Sequence, residues 1–155
     1  MLLVLLLACT SDGGSKATNC TVDAAEGTAV ATVDGEAWEG GGATWVWAGD
    51  SLQVNTVGAG SWWMSLVAQT TADGDTVKAA VDSGALPATI DLGGDGGWAT
   101  LYPADGASYS SRNGSGELVI IEADDASVQA CFTFEAAGDG DPVVVEDGSL
   151  DASAG

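Results

Sequence analysis

The chain has no histidine, and its 3 lysine and arginine residues face 23 aspartates and glutamates, a net charge of −20. Without an imidazole, the His-dependent serine and cysteine triads and the His-containing zinc sites are excluded. A surplus of negative charge this large repels polyanions, so nucleic acid is not an expected partner. The side-chain amines are those of Lys16 and Lys78, and neither sits in a Ser–Lys hydrolase motif. The glycine-rich stretch at 93–97 has no lysine and no helix start of the kind a phosphate loop needs. No segment follows the EF-hand order of acidic residues, and Asp73-Gly74-Asp75 and Asp139-Gly140-Asp141 read as turns.

Glycoside hydrolysis by paired carboxylates needs no histidine. With 23 acidic residues, however, any fold brings pairs together, and the sequence singles out none of them. The expectation is therefore a non-enzyme with no catalytic residue and no cofactor. The alternatives are a calcium ion held by converging carboxylates and a carboxylate-based glycosidase.

Long apolar runs are also missing, apart from MLLVLLLA at 1–8. Eight residues fall far short of the roughly 20 that span a bilayer. The run stops at Cys9, and Leu6-Leu7-Ala8-Cys9 resembles the bacterial lipobox, in which the cysteine is lipidated and becomes the new N-terminus. No basic residue precedes the run, which implies a charged start further upstream. We read 1–8 as a lipoprotein signal peptide, 9–24 as the lipidated Cys9 with a flexible tether, and 25–148 as one domain. An acidic tail at 149–155 is expected to lack order.

Thr10, where an inner-membrane protein would carry Asp, points to the outer membrane or cell surface, facing either the periplasm or the exterior. The partner so implied is the lipid membrane, reached through acylated Cys9. The alternatives are a secretory peptide cleaved elsewhere and a chance apolar start.

Cysteine is scarce as well. With Cys9 set aside, Cys20 and Cys131 make an even pair suited to an oxidising compartment. Joined, they close a loop of more than a hundred residues, worth roughly 4–5 kcal/mol in the loop-entropy account. Two free thiols are the alternative.

Period-two alternation recurs along the chain, with no sustained helical stripe. In SWWMSLVAQ at 61–69, Trp62, Met64, Leu66 and Ala68 take one side and Trp63 the other. SLQVNTV at 51–57 likewise separates Leu52, Val54 and Thr56 from Gln53 and Asn55, with Gly58-Ala59-Gly60 connecting the two runs. Further strands are expected near 28–34, 43–48, 75–81, 88–92, 97–102, 116–123, 127–135 and 142–146. Residues 76–81 suit a helix equally well. Turns fall at Gly49-Asp50, Gly93-Gly94-Asp95-Gly96 and Asp105-Gly106.

A hairpin from Glu117 to Glu135 turns at Asp124-Asp125, and its second arm sets Phe132 and Phe134 opposite Cys131. A disulfide at Cys131 therefore belongs on the outer face. The fold class is all-β, an antiparallel β-sandwich or closed barrel-like sandwich of about 8–10 short strands.

Six tryptophans are the side chains most open to a functional role: Trp38, Trp45, Trp47, Trp62, Trp63 and Trp98. Most suit core packing, Trp62 among them. Trp45, Trp47, Trp63 and Trp98 are the candidates for facing a ligand, because aromatic platforms bury large area at little entropic cost.

The opening Ala31-Thr32-Val33-Asp34-Gly35-Glu36-Ala37-Trp38 resembles the A-x-[V/I]-[D/N]-G-x-x-W start of small bacterial lipoprotein domains of unknown function. Those domains end in a Gly-x-Phe-x-Phe hairpin strand, and here Ala130-Cys131-Phe132-Thr133-Phe134 takes that place. The resemblance covers roughly 27–148 and implies a β-sandwich-like envelope domain without catalytic residues. The function read from the whole chain is a membrane-anchored envelope or surface lipoprotein acting as a non-catalytic binding or structural module. An envelope protein or a polysaccharide is its further partner, and a calcium-stabilised or carbohydrate-binding module is the alternative.

Overall fold

Leu52, Val54 and Thr56 are buried on one strand, and Met64, Leu66 and Ala68 on the strand beside it. The same alternation repeats round the molecule and builds a single interior. The computed structural model describes residues 20–58, 62–104 and 106–155. The expected signal peptide, Cys9, the expected tether to residue 19, the Ala59-Gly60 part of one expected turn and Asp105 of another lie outside the described residues.

The strands are β1 (Thr28–Val33), β2 (Glu36–Ala48), β3 (Ser51–Gly58), β4 (Trp62–Ala68), β5 (Ala88–Asp91), β6 (Gly97–Pro103), β7 (Tyr109–Ala123), β8 (Ser127–Ala137) and β9 (Val143–Ala154). Their order is β7-β6-β4-β3-β2-β1-β9-β8, and β8 pairs back onto β7, so eight strands close a barrel. The ninth, β5, adds to the late half of β7, beyond the point where β6 leaves that edge. The ring pairings are antiparallel, which suits strands with one face buried and one wet.

Side chains fill the interior, as an eight-stranded barrel requires. Alanines at 29, 31, 43, 68, 99, 130, 136 and 152 leave room for Trp38, Trp45, Phe132 and Phe134. Gly148 faces the Phe132 ring, where an added Cβ would sit 2.3 Å from a ring carbon. Large and small residues thus match across facing strands.

Three strands change phase partway: β2, β9 and, between buried Ser111 and buried Leu118, β7. Trp38 and Gly40 point inward on β2, yet beyond the bulge at Gly41-Gly42 it is Ala43 and Trp45 that do so. Gly42 supplies the positive φ of 58° found there. On β9, Val143 and Val145 point inward before Asp147, which has φ 50°, and Leu150 and Ala152 after it.

The shift in β9 overturns the expected disordered tail. Residues 149–155 are not a loose end: Leu150 and Ala152 are core, and Ser153 and Ala154 pair in parallel with Thr44 and Trp45 of β2. They close the seam past the start of β1. The domain therefore runs through β9 rather than stopping at 148.

Residues 77–83 form a helix, the alternative that 76–81 offered beside a strand. In α1 (Val77–Ser83), the Thr76 hydroxyl accepts the Ala79 N–H, and Gly84 ends the helix in the left-handed region. Val77 and Ala80 are buried over the barrel end formed by Gly49-Asp50 and Gln69. At Asp34-Gly35, positive φ angles of 49° and 81° make the β1–β2 turn. The β7–β8 hairpin turns where expected, with Leu118 opposite Phe132 and Ile120 opposite Ala130.

Cys20 and Cys131 form a disulfide with Cα atoms 5.8 Å apart. Cys131 points away from Phe132 and Phe134, so the bond lies on the outside of β8. The Ser149 hydroxyl accepts the N–H groups of Asp23 and Ala24 at 3.1 and 3.2 Å. The chain therefore crosses β8 and β9 before entering β1. Residues 20–24, expected to belong to a flexible tether, are docked on the barrel wall.

Candidate functional site

β3, β4 and β6 are neighbours in the ring, and none of them contains an aspartate or a glutamate. The same holds for residues 40–48 of β2 and 109–116 of β7. Elsewhere β7, β8 and β9 carry Glu117, Glu122, Glu135, Glu146, Asp147 and Asp151. On a chain of net charge −20, one flank of the barrel is thus uncharged except for Arg112.

Strand register orders the outward side chains of this flank into rows that run across the strands. The middle row is Thr44, Asn55, Ser65, Thr100 and Ser110, each paired with the next. Every member carries an amide or a hydroxyl. With strands about 4.8 Å apart, the row runs about 19 Å. To one side, Trp63 pairs with Tyr102, their ring centroids 6.3 Å apart, and the register that joins Thr56 to Met64 places Val57 opposite Trp63. To the other side lie Val46, Gln53, Val67 and Trp98.

Among the described residues, Val46, Val57, Trp63, Tyr102 and Val144 are the large apolar side chains most open to solvent. Four of these stand on this flank. Trp63 is 56% exposed and Tyr102 42%.

Trp98 marks one corner. The Arg112 guanidinium carbon lies 3.6 Å from the centroid of its ring, a cation–π stack across the β6–β7 seam. A shallow groove of about 330 Å³ opens there, lined by Gln69, Gly93, Gly94, Asp95, Trp98 and Arg112. Three hydrogen bonds hold the segment around the start of β6. The Asp91 carboxylate accepts the Gly93 N–H at 2.8 Å. Buried Ser111 accepts the Ala99 N–H at 2.8 Å and donates to the Leu92 carbonyl.

The four tryptophans expected to face a ligand separate into three environments. Trp45 is core, 7% exposed, with its ring edge-on to Trp47 at 5.9 Å, so it is not available to a ligand. The Gly41-Gly42 bulge turns it inward. Trp47 is half-buried under α1, where the Lys78 ammonium lies 5.2 Å from its ring centroid and pairs with Asp82 at 2.6 Å. Trp63 and Trp98 do reach the outer face, on adjacent strands. Trp38 is core, and Trp62 is half-buried against Tyr109.

Tyr102, Val57 and Arg112 are the site residues that sequence reasoning passed over. A signal existed for two of them: Val57 holds the outward parity of the 51–57 run and Tyr102 that of the 97–102 run, whereas Arg112 precedes the strand expected at 116–123 and no parity marked it.

Among the described residues, no three acidic or cysteine side chains gather as a cation site would need. No helix among them is long and apolar enough to cross a membrane. The shifted carboxyl is that of Asp124 in the β7–β8 turn, where the Ser127 and Ala126 N–H groups hold it below the usual aspartate range. It serves the turn and lies outside the acid-free flank. Comparison with protein-family models, with curated proteins and with solved structures found no match for this chain.

Proposed function

We propose that the protein is a bacterial envelope lipoprotein, anchored through acylated Cys9, whose barrel is a non-catalytic binding module working through the flank of β3, β4 and β6. The observation that carries this reading is the charge asymmetry. A chain with 23 acidic residues keeps them all off three adjacent strands and sets Trp63, Tyr102 and Val57 there instead. Exposed apolar side chains grouped on one face are the usual mark of a binding surface.

The lipobox-like Leu6-Leu7-Ala8-Cys9 and the resemblance of the opening Ala31–Trp38 to envelope lipoprotein domains support the anchor. The 11 residues from Cys9 to Cys20 reach at most about 40 Å, which would keep the barrel near the surface that holds the lipid.

Two measurements test the reading. Mass spectrometry of the mature protein should find Cys9 acylated at the N-terminus, and an unmodified Cys9 would remove the anchor. A photo-crosslinking residue placed at Ser65 in cells should yield adducts that the same residue at Glu146 does not. Equal yields at both positions would remove the binding face.

A further inference from the structure

We infer that the ligand of this face is a neutral polysaccharide, lying across the strands along the row Thr44, Asn55, Ser65, Thr100 and Ser110. This inference rests on the binding-face reading above and adds the chemistry of what is bound.

Three observations converge on a sugar polymer. The row is continuous over five strands and offers only hydroxyl and amide groups, which are both donors and acceptors and so match the hydroxyls of a sugar. Its step of about 4.8 Å per strand is comparable to the advance per residue of an extended hexose chain. Aromatic side chains flank it on both sides, with Trp63 and Tyr102 two residues along their strands from the row and Trp98 two residues the other way. Trp98 and Tyr102 thus stand about 13 Å apart along β6, with the row midway between them. Trp63 and Tyr102, the exposed rings, offer apolar faces to the C–H side of a pyranose, while the row offers polar contacts.

Charge selects against other polymers. Nothing acidic stands in the row or the flanking rings to recruit a basic protein, and the net charge of −20 opposes approach of an anionic polymer. Arg112 is the cation of this face, but its guanidinium is already stacked on Trp98, with Asp95 in the same groove. A ligand without charge meets no electrostatic repulsion from the acidic chain. The cost of stripping water from hydroxyls and amides is offset where the sugar restores their hydrogen bonds.

The test uses the full chain with Cys9→Ser, for solubility, in affinity electrophoresis through gels containing neutral polymers (β-glucan, xylan, mannan) or anionic ones (alginate, polygalacturonate). We expect retardation by at least one neutral polymer and none by the anionic set. Trp63→Ala and Asn55→Ala should each weaken that binding about 10-fold or more, and Val144→Ala, on β9, should leave it unchanged. Both substituted side chains point outward, so thermal melts should stay near that of the parent protein.

Retardation by no neutral polymer, by anionic polymers alone, or equally in the Trp63→Ala and Asn55→Ala proteins would overturn the inference. So would light scattering that shows a dimer dispersed by Trp63→Ala, since the face would then serve a second copy of the chain. Those outcomes leave the Ser65 crosslinking result standing. Loss of that crosslinking, by contrast, would remove the binding face itself.

Discussion

The Arg112 guanidinium lies face-on to the Trp98 ring, 3.6 Å from its centroid, and locks the seam where β6 gives way to β5 along β7. Stacks of this kind are worth about 0.5–2 kcal/mol, depending on how dry they are. Arg112→Ala should therefore lower stability by about 1 kcal/mol in urea unfolding. It should also increase quenching of tryptophan fluorescence by acrylamide as the ring is uncovered. Unchanged quenching would mean that the stack does not persist in solution.

Cys131 and Ser149 are paired across β8 and β9, and each holds part of the segment from Cys20 to Ala24. The disulfide spans 111 residues, for which loop entropy gives about 4–5 kcal/mol. Cys131→Ser should shift the urea midpoint down by that order, whereas Ser149→Ala should cost about 1–2 kcal/mol as two N–H groups lose their acceptor. Because the bond is outside the core, the Cys131→Ser barrel should keep its β-type circular dichroism in the absence of urea. A collapsed spectrum would mean the bond is needed for the fold itself.

The end of the chain offers a harsher test. Deleting residues 149–155 removes Leu150 and Ala152 from the core and opens the β2–β9 seam. The shortened protein should fail to melt cooperatively. Removing Gly155 alone takes away one hydrogen bond to Trp45 and should cost no more than about 1–2 kcal/mol. A cooperative melt for the longer deletion would show that β9 is dispensable past its bulge.

Asp124 accepts N–H groups from Ala126 and Ser127, and these lower its pKa. A carboxylate with a lowered native pKa contributes stability above its unfolded value, about pH 4, and loses that contribution as pH falls through the native value. Asp124→Ala should thus melt below the parent at pH 7, and the gap should narrow as pH drops below about 4. A gap that is constant with pH would assign the effect to turn geometry rather than to the charge.

Period two carried most of the strand assignments because the barrel hides one side of each strand. Leu52, Val54, Met64, Leu66, Phe132 and Phe134 all fell where alternation put them. The outward place of Cys131 followed from the same rule. Alternation is interrupted at the bulges. It holds within each half of β2 and β9, but Gly42 and Asp147 reverse the phase, so no single pattern joins Trp38 to Trp45, or Val145 to the last residues that composition marked as a tail.

Small size compounded the error at the chain end. Ser149, Ala152 and Ser153 look like solvent-loving filler, yet a barrel packed around tryptophan and phenylalanine needs narrow residues at its seam. The binding face was half visible. Trp63 and Trp98 could be named, but the row between them appears only once register sets Asn55 beside Ser65 and Thr100. Absence of acid from three strands is likewise silent until those strands prove to be neighbours.

The staple at Cys131 is on β8, and β3 stands four strands from β8 whichever way round the ring one counts. The proposed leash from Cys9 would therefore join the barrel on the side opposite β3. Pulled toward any surface by that leash, the barrel would turn its acidic flank inward and its neutral, tryptophan-bearing flank outward. One covalent bond would in that way act as a rudder as well as a brace, setting which side of the protein meets the world.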